Sequence, residues 1–188
     1  MATVPVEINL EFTPNPNTLK YTLNRRVLLN GAENFTSREE AEPHSPLATK
    51  LFDVDDVCGI MIGPTFITVT LASQDNLREL NRTVMTTIKE HLESGDVIVT
   101  PRDPETLKAN ESETAKRIRE ILDAEVRPAV AQDGGDITFE RYDENSGVVY
   151  LYMMGACSGC PSSQMTLKSG IETRLRQEFP EITDVVPI

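Results

Sequence analysis

The sequence predicts an α+β protein of two small domains, each a short sheet covered by helices, and three observations support this. Short runs of alternating apolar and polar residues, typical of strands, occur in both halves of the 188-residue chain. Each half also contains a segment whose apolar residues recur at helical spacing. Between the halves, residues 101–113 are polar and proline-containing and show no periodicity. We therefore expect an N-terminal domain at residues 1–100, a linker at 101–113 and a C-terminal domain at 114–188.

The first half is expected to open with two strands. The apolar residues of the first strand alternate with polar ones and are Val4, Val6, Ile8, Leu10 and Phe12. After a proline- and asparagine-rich break, a second extended segment follows at residues 19–23. Residues 31–44 are polar and are interpreted as loop. A short helix is expected at residues 46–52, because Pro46 suits the first helical position after Ser45.

A second hairpin and a long helix complete this half. Two apolar, β-branched runs at residues 57–61 and 65–71 are separated by Gly63-Pro64. The helix is predicted from apolar residues at helical spacing, which are Leu77, Leu80, Val84, Ile88 and Leu92. Gly95 is expected to end this helix, and residues 96–100 are expected to form a last short strand.

The second half predicts the order helix, strand, strand, helix, strand. A helix that starts at Thr114 is disturbed at Pro128, and a turn at residues 133–136 follows it. Strands are expected at residues 137–142 and 148–153. The second helix should follow residues 155–160, and its apolar residues are Leu167, Ile171, Leu175 and Phe179. Residues 182–186 can close the sheet, which gives a complete α+β unit.

Composition excludes some classes of function and favours a reducing compartment. Lys and Arg total 18 against 30 Asp and Glu, a net charge of -12 that argues against nucleic-acid binding. No segment approaches the roughly 20 apolar residues that span a membrane, and no targeting segment is visible at the N-terminus. Three cysteines do not form a disulfide framework. We expect a cytoplasmic protein, although a processed organellar one would have the same sequence features.

The motif Cys157-Ser158-Gly159-Cys160 is the candidate functional site. Its two-residue spacer lets both sulfur atoms reach one metal centre or each other. Pro161 suits the first position of the following helix, so Cys160 is expected at its N-cap. The unpaired N–H groups and the positive helix dipole at such a position favour thiolates, which are good ligands and nucleophiles.

The ligand count predicts an assembly. An iron–sulfur cluster usually takes four thiolates, whereas Cys157 and Cys160 supply two per chain, so a two-fold dimer would complete the set. Three alternatives remain open for the pair: a turn without metal, zinc held by four cysteines across a dimer, and a thiol–disulfide oxidoreductase.

The remaining candidate residues have simpler interpretations. Cys58 is predicted to be a small core residue, and His44 and His91 are predicted to be surface or helix-end residues. Asp133 and Asp136 flank a Gly-Gly turn, which turn chemistry explains without a metal.

Two segments resemble a known family. Asp133-Gly134-Gly135-Asp136 followed by 155–163, Gly-Ala-Cys-Ser-Gly-Cys-Pro-Ser-Ser, is similar to the C-terminal domain of NifU and the Nfu-type proteins. Residues 12–20 and 63–70 resemble the N-terminal domain of Nfu proteins.

This resemblance implies a function for the chain. It implies a scaffold or carrier, and no enzyme, that binds an iron–sulfur cluster between two subunits through Cys157 and Cys160. The cluster is expected to be [4Fe–4S], with [2Fe–2S] as the alternative. The implied partners are upstream assembly proteins and the apo-proteins that receive the cluster. Since no organellar presequence is visible, the resemblance implies a bacterial, cytoplasmic protein, with a processed mitochondrial form as the alternative.

Overall fold

The computed structural model describes residues 5–29, 31–100, 112–158 and 161–188, and gives only the backbone of residues 161–163. The chain forms two compact units, Met1–Arg102 and Asp103–Ile188. Most of the predicted linker, 101–113, lies outside the described residues, so the predicted domain limits stay a prediction. No helix in the described ranges is long and apolar enough to cross a membrane.

The N-terminal unit contains an antiparallel sheet. Within the described residues its strands are β1 Ile8–Phe12, β2 Thr18–Leu23, β3 Glu33–Phe35, β4 Val57–Ile62 and β5 Phe66–Leu71. Their order across the sheet is β1-β2-β5-β4-β3. Both predicted strand pairs, β1 with β2 and β4 with β5, are therefore confirmed.

Helices α1 Arg38–Ala41, α2 Pro46–Phe52 and α3 Leu77–Ser94 complete the unit. The predicted α2 is confirmed, with Ser45 accepting a hydrogen bond from the Ala48 N–H as its N-cap. Helix α3 ends at Gly95, whose φ of 76° needs the freedom of glycine. The core is formed by inward residues of the strands and helices, including Tyr21, Phe35, Leu47, Ile67, Val84 and Ile88.

Two predictions for this unit are wrong. Residues 31–44 contain β3 and α1, because Phe35 is fully buried against the core and Ser37 caps α1 by accepting from the Glu40 N–H. Residues 96–100 form no strand. Their backbone bonds to the helices instead, since the carbonyl of Ile98 accepts from Ser45 Oγ at 2.6 Å.

The C-terminal unit confirms the predicted order helix, strand, strand, helix, strand. Its elements are α4 Glu113–Ile121, a π-helix Leu122–Val126, α5 Arg127–Gln132, β6 Gly135–Asp143, β7 Val148–Gly155, α6 Pro161–Glu178 and β8 Asp184–Pro187. Strand β7 pairs antiparallel with β6 and parallel with β8. One face of this sheet packs on the helices around Ile118, Leu122, Phe139, Leu151 and Leu175.

The predicted disturbance at Pro128 takes the form of the π-helix. Proline lacks an N–H, and in a regular α-helix its ring would crowd the carbonyl of Ala124 four residues earlier. The wider π turn avoids this, and the Arg127 N–H donates to the Leu122 carbonyl five residues back. The chain thus enters α5 with Arg127 at its first residue.

Candidate functional site

The cysteine loop leaves β7 at Gly155, whose φ is 61°. The Ala156 N–H donates to the Gly134 carbonyl at 3.1 Å, which ties the loop to the turn before β6. The Cys157 N–H donates to the Met154 carbonyl at 3.3 Å, so the chain turns back on itself within a few residues. Cys157 is thereby fixed beside the start of β6.

Gly135 makes this arrangement possible. It pairs with Gly155 across the two strands. A Cβ placed at Gly135 would lie 2.2 Å from the Cys157 Sγ and 3.1 Å from the Met154 carbonyl oxygen. Any larger residue would occupy the position of the sulfur, so the glycine provides the space that the Cys157 side chain fills.

Cys157 is a buried thiol. It is 7% exposed and belongs to the apolar core of its unit. Burial, with smaller contributions from the carboxylates of Asp133 and Asp136, raises the pKa of Cys157 to about 12. In the metal-free chain, burial therefore disfavours a thiolate at Cys157, opposite to the effect expected at a helix N-terminus. Cys160 lies outside the described residues.

An ion pair that the sequence did not indicate lies next to this loop. Arg127 donates from Nε to Asp136 Oδ1 at 2.8 Å and from Nη2 to Oδ2 at 2.6 Å. A third contact joins Arg127 Nη1 to Asp123 Oδ1 at 3.1 Å. Asp136 is buried, at 5% exposed, which the turn-chemistry interpretation did not anticipate. The signal that could have revealed it is its place in β6, directly before the apolar Ile137.

The other cysteine and the histidines lie in the N-terminal unit. Cys58 is exposed, so the prediction of a core residue is wrong. The register of β4 against β5 shifts between Val57 and Gly59, and this bulge turns Cys58 outward. His44 is half-buried before α2, where its carbonyl accepts from the Thr100 N–H.

His91 lies in the last turn of α3, as predicted for a helix-end residue, but it is only 1% exposed. Its Nε2 lies 3.0 Å from the Val97 carbonyl and its Nδ1 lies 3.2 Å from Lys50 Nζ. These contacts fix a neutral ring that donates to Val97 and accepts from Lys50. Burial and the nearby Lys50 cation lower the pKa of His91, outweighing the opposite effects of Val97 and Asp96.

This histidine should make the stability of the N-terminal unit depend on pH. The pKa of His91 in the folded chain lies below its ordinary value of 6.5 in the unfolded chain. The folding stability contributed by the neutral ring is therefore fully present above pH 6.5 and is lost as the pH falls below that value. We expect the urea midpoint to drop between about pH 7.5 and about pH 5.5 by more in the native chain than in His91→Gln, which cannot titrate. Equal drops in the two proteins would contradict this assignment.

The donor chemistry at the loop fits a soft metal centre. No group of three or more His, Cys, Asp and Glu that could hold a metal ion occurs among the described residues. At this loop one chain offers the sulfur of Cys157 and, by sequence, that of Cys160, which lies outside the described residues. Thiolate sulfur suits iron–sulfur clusters and zinc, and the set fits half of a four-thiolate site.

Comparisons with known proteins cover both units. The family model of the NifU-like domain matches residues 118–186, and the one described as scaffold protein Nfu/NifU N terminal matches residues 8–95. A NifU-like protein of Schizosaccharomyces pombe is 35% identical, over 96% of this chain and 72% of that protein. The human protein named NFU1 iron-sulfur cluster scaffold homolog, mitochondrial, is 36% identical, over 95% of this chain and 70% of that protein.

A third relative agrees with these matches, and one solved structure is reported beside it. NifU-like protein 5, mitochondrial, of Arabidopsis thaliana is 36% identical over 95% of this chain and 66% of that protein. The chain therefore spans about two thirds of the length of these relatives. The NMR structure of a NifU-like protein from Saccharomyces cerevisiae matches 54% of this chain and 92% of that chain, with a TM-score of 0.48 and 20% identity. Family matches in both units, and relatives 35–36% identical over at least 95% of the chain, show that this chain belongs to the Nfu/NifU family.

Proposed function

We propose that this chain is an iron–sulfur cluster scaffold or carrier that holds its cluster through Cys157 and Cys160 and transfers it to apo-proteins. The observation that carries the proposal is the setting of Cys157. It lies in a turn between β7 and α6, against a glycine that leaves room only for its sulfur. The names of the relatives, which include iron–sulfur cluster scaffolds, support the same function.

The cluster is proposed to bridge two copies of the chain. Two cysteines per chain fill half of the usual four-thiolate set, and a two-fold dimer brings together two identical loops. We propose a [4Fe–4S] cluster, with [2Fe–2S] using the same ligands as the alternative. Because ligand thiols must lose their protons, uptake of the cluster has to displace the proton held by Cys157.

A carrier of this kind is proposed to turn over no substrate. Its partners are proposed to be the assembly proteins that supply the cluster and the apo-proteins that accept it. A bacterial cytoplasm remains our proposal for its location. Two of the relatives described above are named as mitochondrial proteins, and both compartments are reducing.

The oxidoreductase alternative receives less support, because the surroundings of Cys157 do not favour a reactive thiolate. In Cys-x-x-Cys oxidoreductases the attacking thiol has a lowered pKa. Burial raises the pKa of Cys157, the first cysteine of the pair, to about 12, which is the opposite direction.

Anaerobic reconstitution with iron and sulfide tests the proposal. We expect a coloured protein with about four irons per dimer, measured by visible absorption, metal analysis and mass in solution. Cys157→Ala should lose the colour and the dimer, because one ligand of each chain is removed. Cys58→Ala is the matched control and should bind as the native chain does, since Cys58 is exposed in the other unit.

Three results would contradict the proposal. Zinc bound by native protein that takes up no iron would indicate a structural metal dimer. A colourless monomer that catalytically reduces disulfides would indicate the oxidoreductase. Iron uptake by Cys157→Ala equal to that of Cys58→Ala and of the native chain would show that the Cys157 loop is not the binding site.

A further inference from the structure

We infer that Arg127 and Asp136 form a positioning pair that holds the Cys157 loop in place for the cluster. The inference rests on the proposed function, because it assigns these residues a role at the proposed cluster site. Neither residue supplies a ligand. Both act through the strand on which the Cys157 side chain rests.

The first step is that both carboxylate oxygens of Asp136 accept hydrogen bonds. Its buried carboxylate accepts two N–H groups of Arg127, at 2.8 and 2.6 Å, and the Ile137 N–H at 2.8 Å. A buried carboxylate is costly unless it is paired and hydrogen-bonded, so this arrangement depends on Arg127. The pair therefore fixes the start of β6 to the start of α5.

The second step is the path from Asp136 to the cysteine. Asp136 directly follows Gly135, whose missing Cβ leaves the space that the Cys157 Sγ occupies. Asp136 also pairs with Met154 across the strands, and the Met154 carbonyl accepts from the Cys157 N–H. The carbonyl of Gly134, on the other side of Gly135, accepts from the Ala156 N–H. A shift of Asp136 would therefore displace the two carbonyls, of Met154 and Gly134, that hold the loop.

The third step is the requirement for arginine. The two parallel N–H groups of a guanidinium match the two carboxylate oxygens, and lysine cannot reproduce this fork. The third contact, from Arg127 Nη1 to Asp123 at 3.1 Å, holds the guanidinium against the π-helix. That helix ends directly before Arg127, at the turn that Pro128 requires.

The chain offers a closely matched control pair. Arg174 donates two N–H groups to Glu125 at 2.6 and 2.7 Å, so it has the same forked geometry, and Glu125 belongs to the same π-helix. The side chains of Arg127 and Arg174 are both 27% exposed. The carboxylates differ, because Asp136 is 7% and Glu125 is 49% exposed in their side chains. Only the first pair adjoins the Cys157 loop.

The test compares the native full-length chain with Arg127→Gln, Arg127→Lys, Asp136→Asn, the double variant R127Q/D136N and Arg174→Gln. Two properties are measured. The first is amide hydrogen exchange of metal-free, ¹⁵N-labelled protein, read by NMR at Ala156, Cys157 and Ile137 and across the rest of the C-terminal unit. The second is the half-life of the reconstituted cluster in the presence of an iron chelator.

We expect Arg127→Gln to accelerate exchange at Ala156 and Cys157 by about tenfold or more, the size expected for a lost charged hydrogen bond. The cluster half-life should shorten by a similar factor, and Arg127→Lys should restore little of either. The double variant should recover part of both properties, because a neutral Gln–Asn pair leaves no buried charge. Arg174→Gln should match the native chain at the loop.

Several outcomes would overturn the inference. One is that amide exchange at Ala156 and Cys157 is no faster in Arg127→Gln than in Arg174→Gln. Another is uniform acceleration throughout the C-terminal unit, which would indicate a stabilising role without a positioning one. If Arg127→Gln does not fold, Asp136→Asn and the double variant decide by the same criteria. If the native chain takes up no iron, the proposed function fails, while the exchange data still decide whether the pair holds the loop.

Discussion

Replacing Gly135 with alanine is expected to eliminate cluster binding while leaving the N-terminal unit intact. The new Cβ would lie 2.2 Å from the Cys157 Sγ, 3.2 Å from its Cβ and 3.1 Å from the Met154 carbonyl oxygen. The sulfur must then rotate away from its position, and the loop must shift because the other two atoms are also too close. Overpacking of this kind costs about 1–3 kcal/mol of folding stability. Iron content after reconstitution and the urea midpoint measure the two effects.

Gly170→Ala is the control for this variant. Gly170 lies within α6, and a Cβ there would meet nothing within 4 Å. Alanine should stabilise the helix by about 1 kcal/mol, and iron uptake should remain that of the native chain. Normal iron uptake by Gly135→Ala would show that the close contact between Gly135 and Cys157 has no part in binding.

The second large effect is expected for Gly147→Ala, in the turn between β6 and β7. Gly147 has a φ of 69°, and a Cβ there would lie 2.3 Å from the Glu181 carbonyl oxygen. This neighbour is backbone, so no side-chain rotation relieves the clash. The turn also binds the segment before β8, because the Thr183 N–H donates to the Gly147 carbonyl at 2.8 Å. We expect the C-terminal unit to lose about 3 kcal/mol or more, from the left-handed backbone and the clash together.

Gly95→Ala separates these two causes. Gly95 also has a positive φ, 76°, but a Cβ there would meet nothing within 4 Å. Its cost should be limited to the backbone preference, about 1–2 kcal/mol. Urea denaturation followed by the NMR signals of each unit gives both values. Similar losses in the two variants would show that the contact between Gly147 and Glu181 is unimportant.

The elements predicted correctly are those whose own residues determine them. The apolar spacing from Leu77 to Leu92 and the stop at Gly95 define α3, and Ser45-Pro46 defines the start of α2. The missed elements depend on distant partners. The three residues of β3 form a strand because they pair with β4. Residues 96–100 are held against the helices by contacts such as the hydrogen bond from Ser45 Oγ to the Ile98 carbonyl. The sequence of the segment itself does not indicate such contacts.

The site shows the same division. The sequence indicated the Cys-x-x-Cys spacing, the Gly-Gly turn and a loop between strand and helix, all of which are local. The environment of Cys157 depends on the turn before β6 and on the start of that strand. Its neighbours there, Gly135, Asp133 and Asp136, lie far from Cys157 in the sequence. The sequence therefore did not predict the burial that raises its pKa. The pairing of Arg127 with Asp136 likewise needs α5 and β6 to be in contact.

The burial of Cys157 also affects how the metal-free chain reacts with oxidants. Peroxide attacks the thiolate of cysteine and oxidises it to sulfenic acid, so a thiol that is buried and protonated at neutral pH reacts slowly. Cys157 is 7% exposed and has a pKa of about 12, whereas Cys58 is exposed in the other unit. Burial thus protects the Cys157 thiol of the metal-free chain from oxidants.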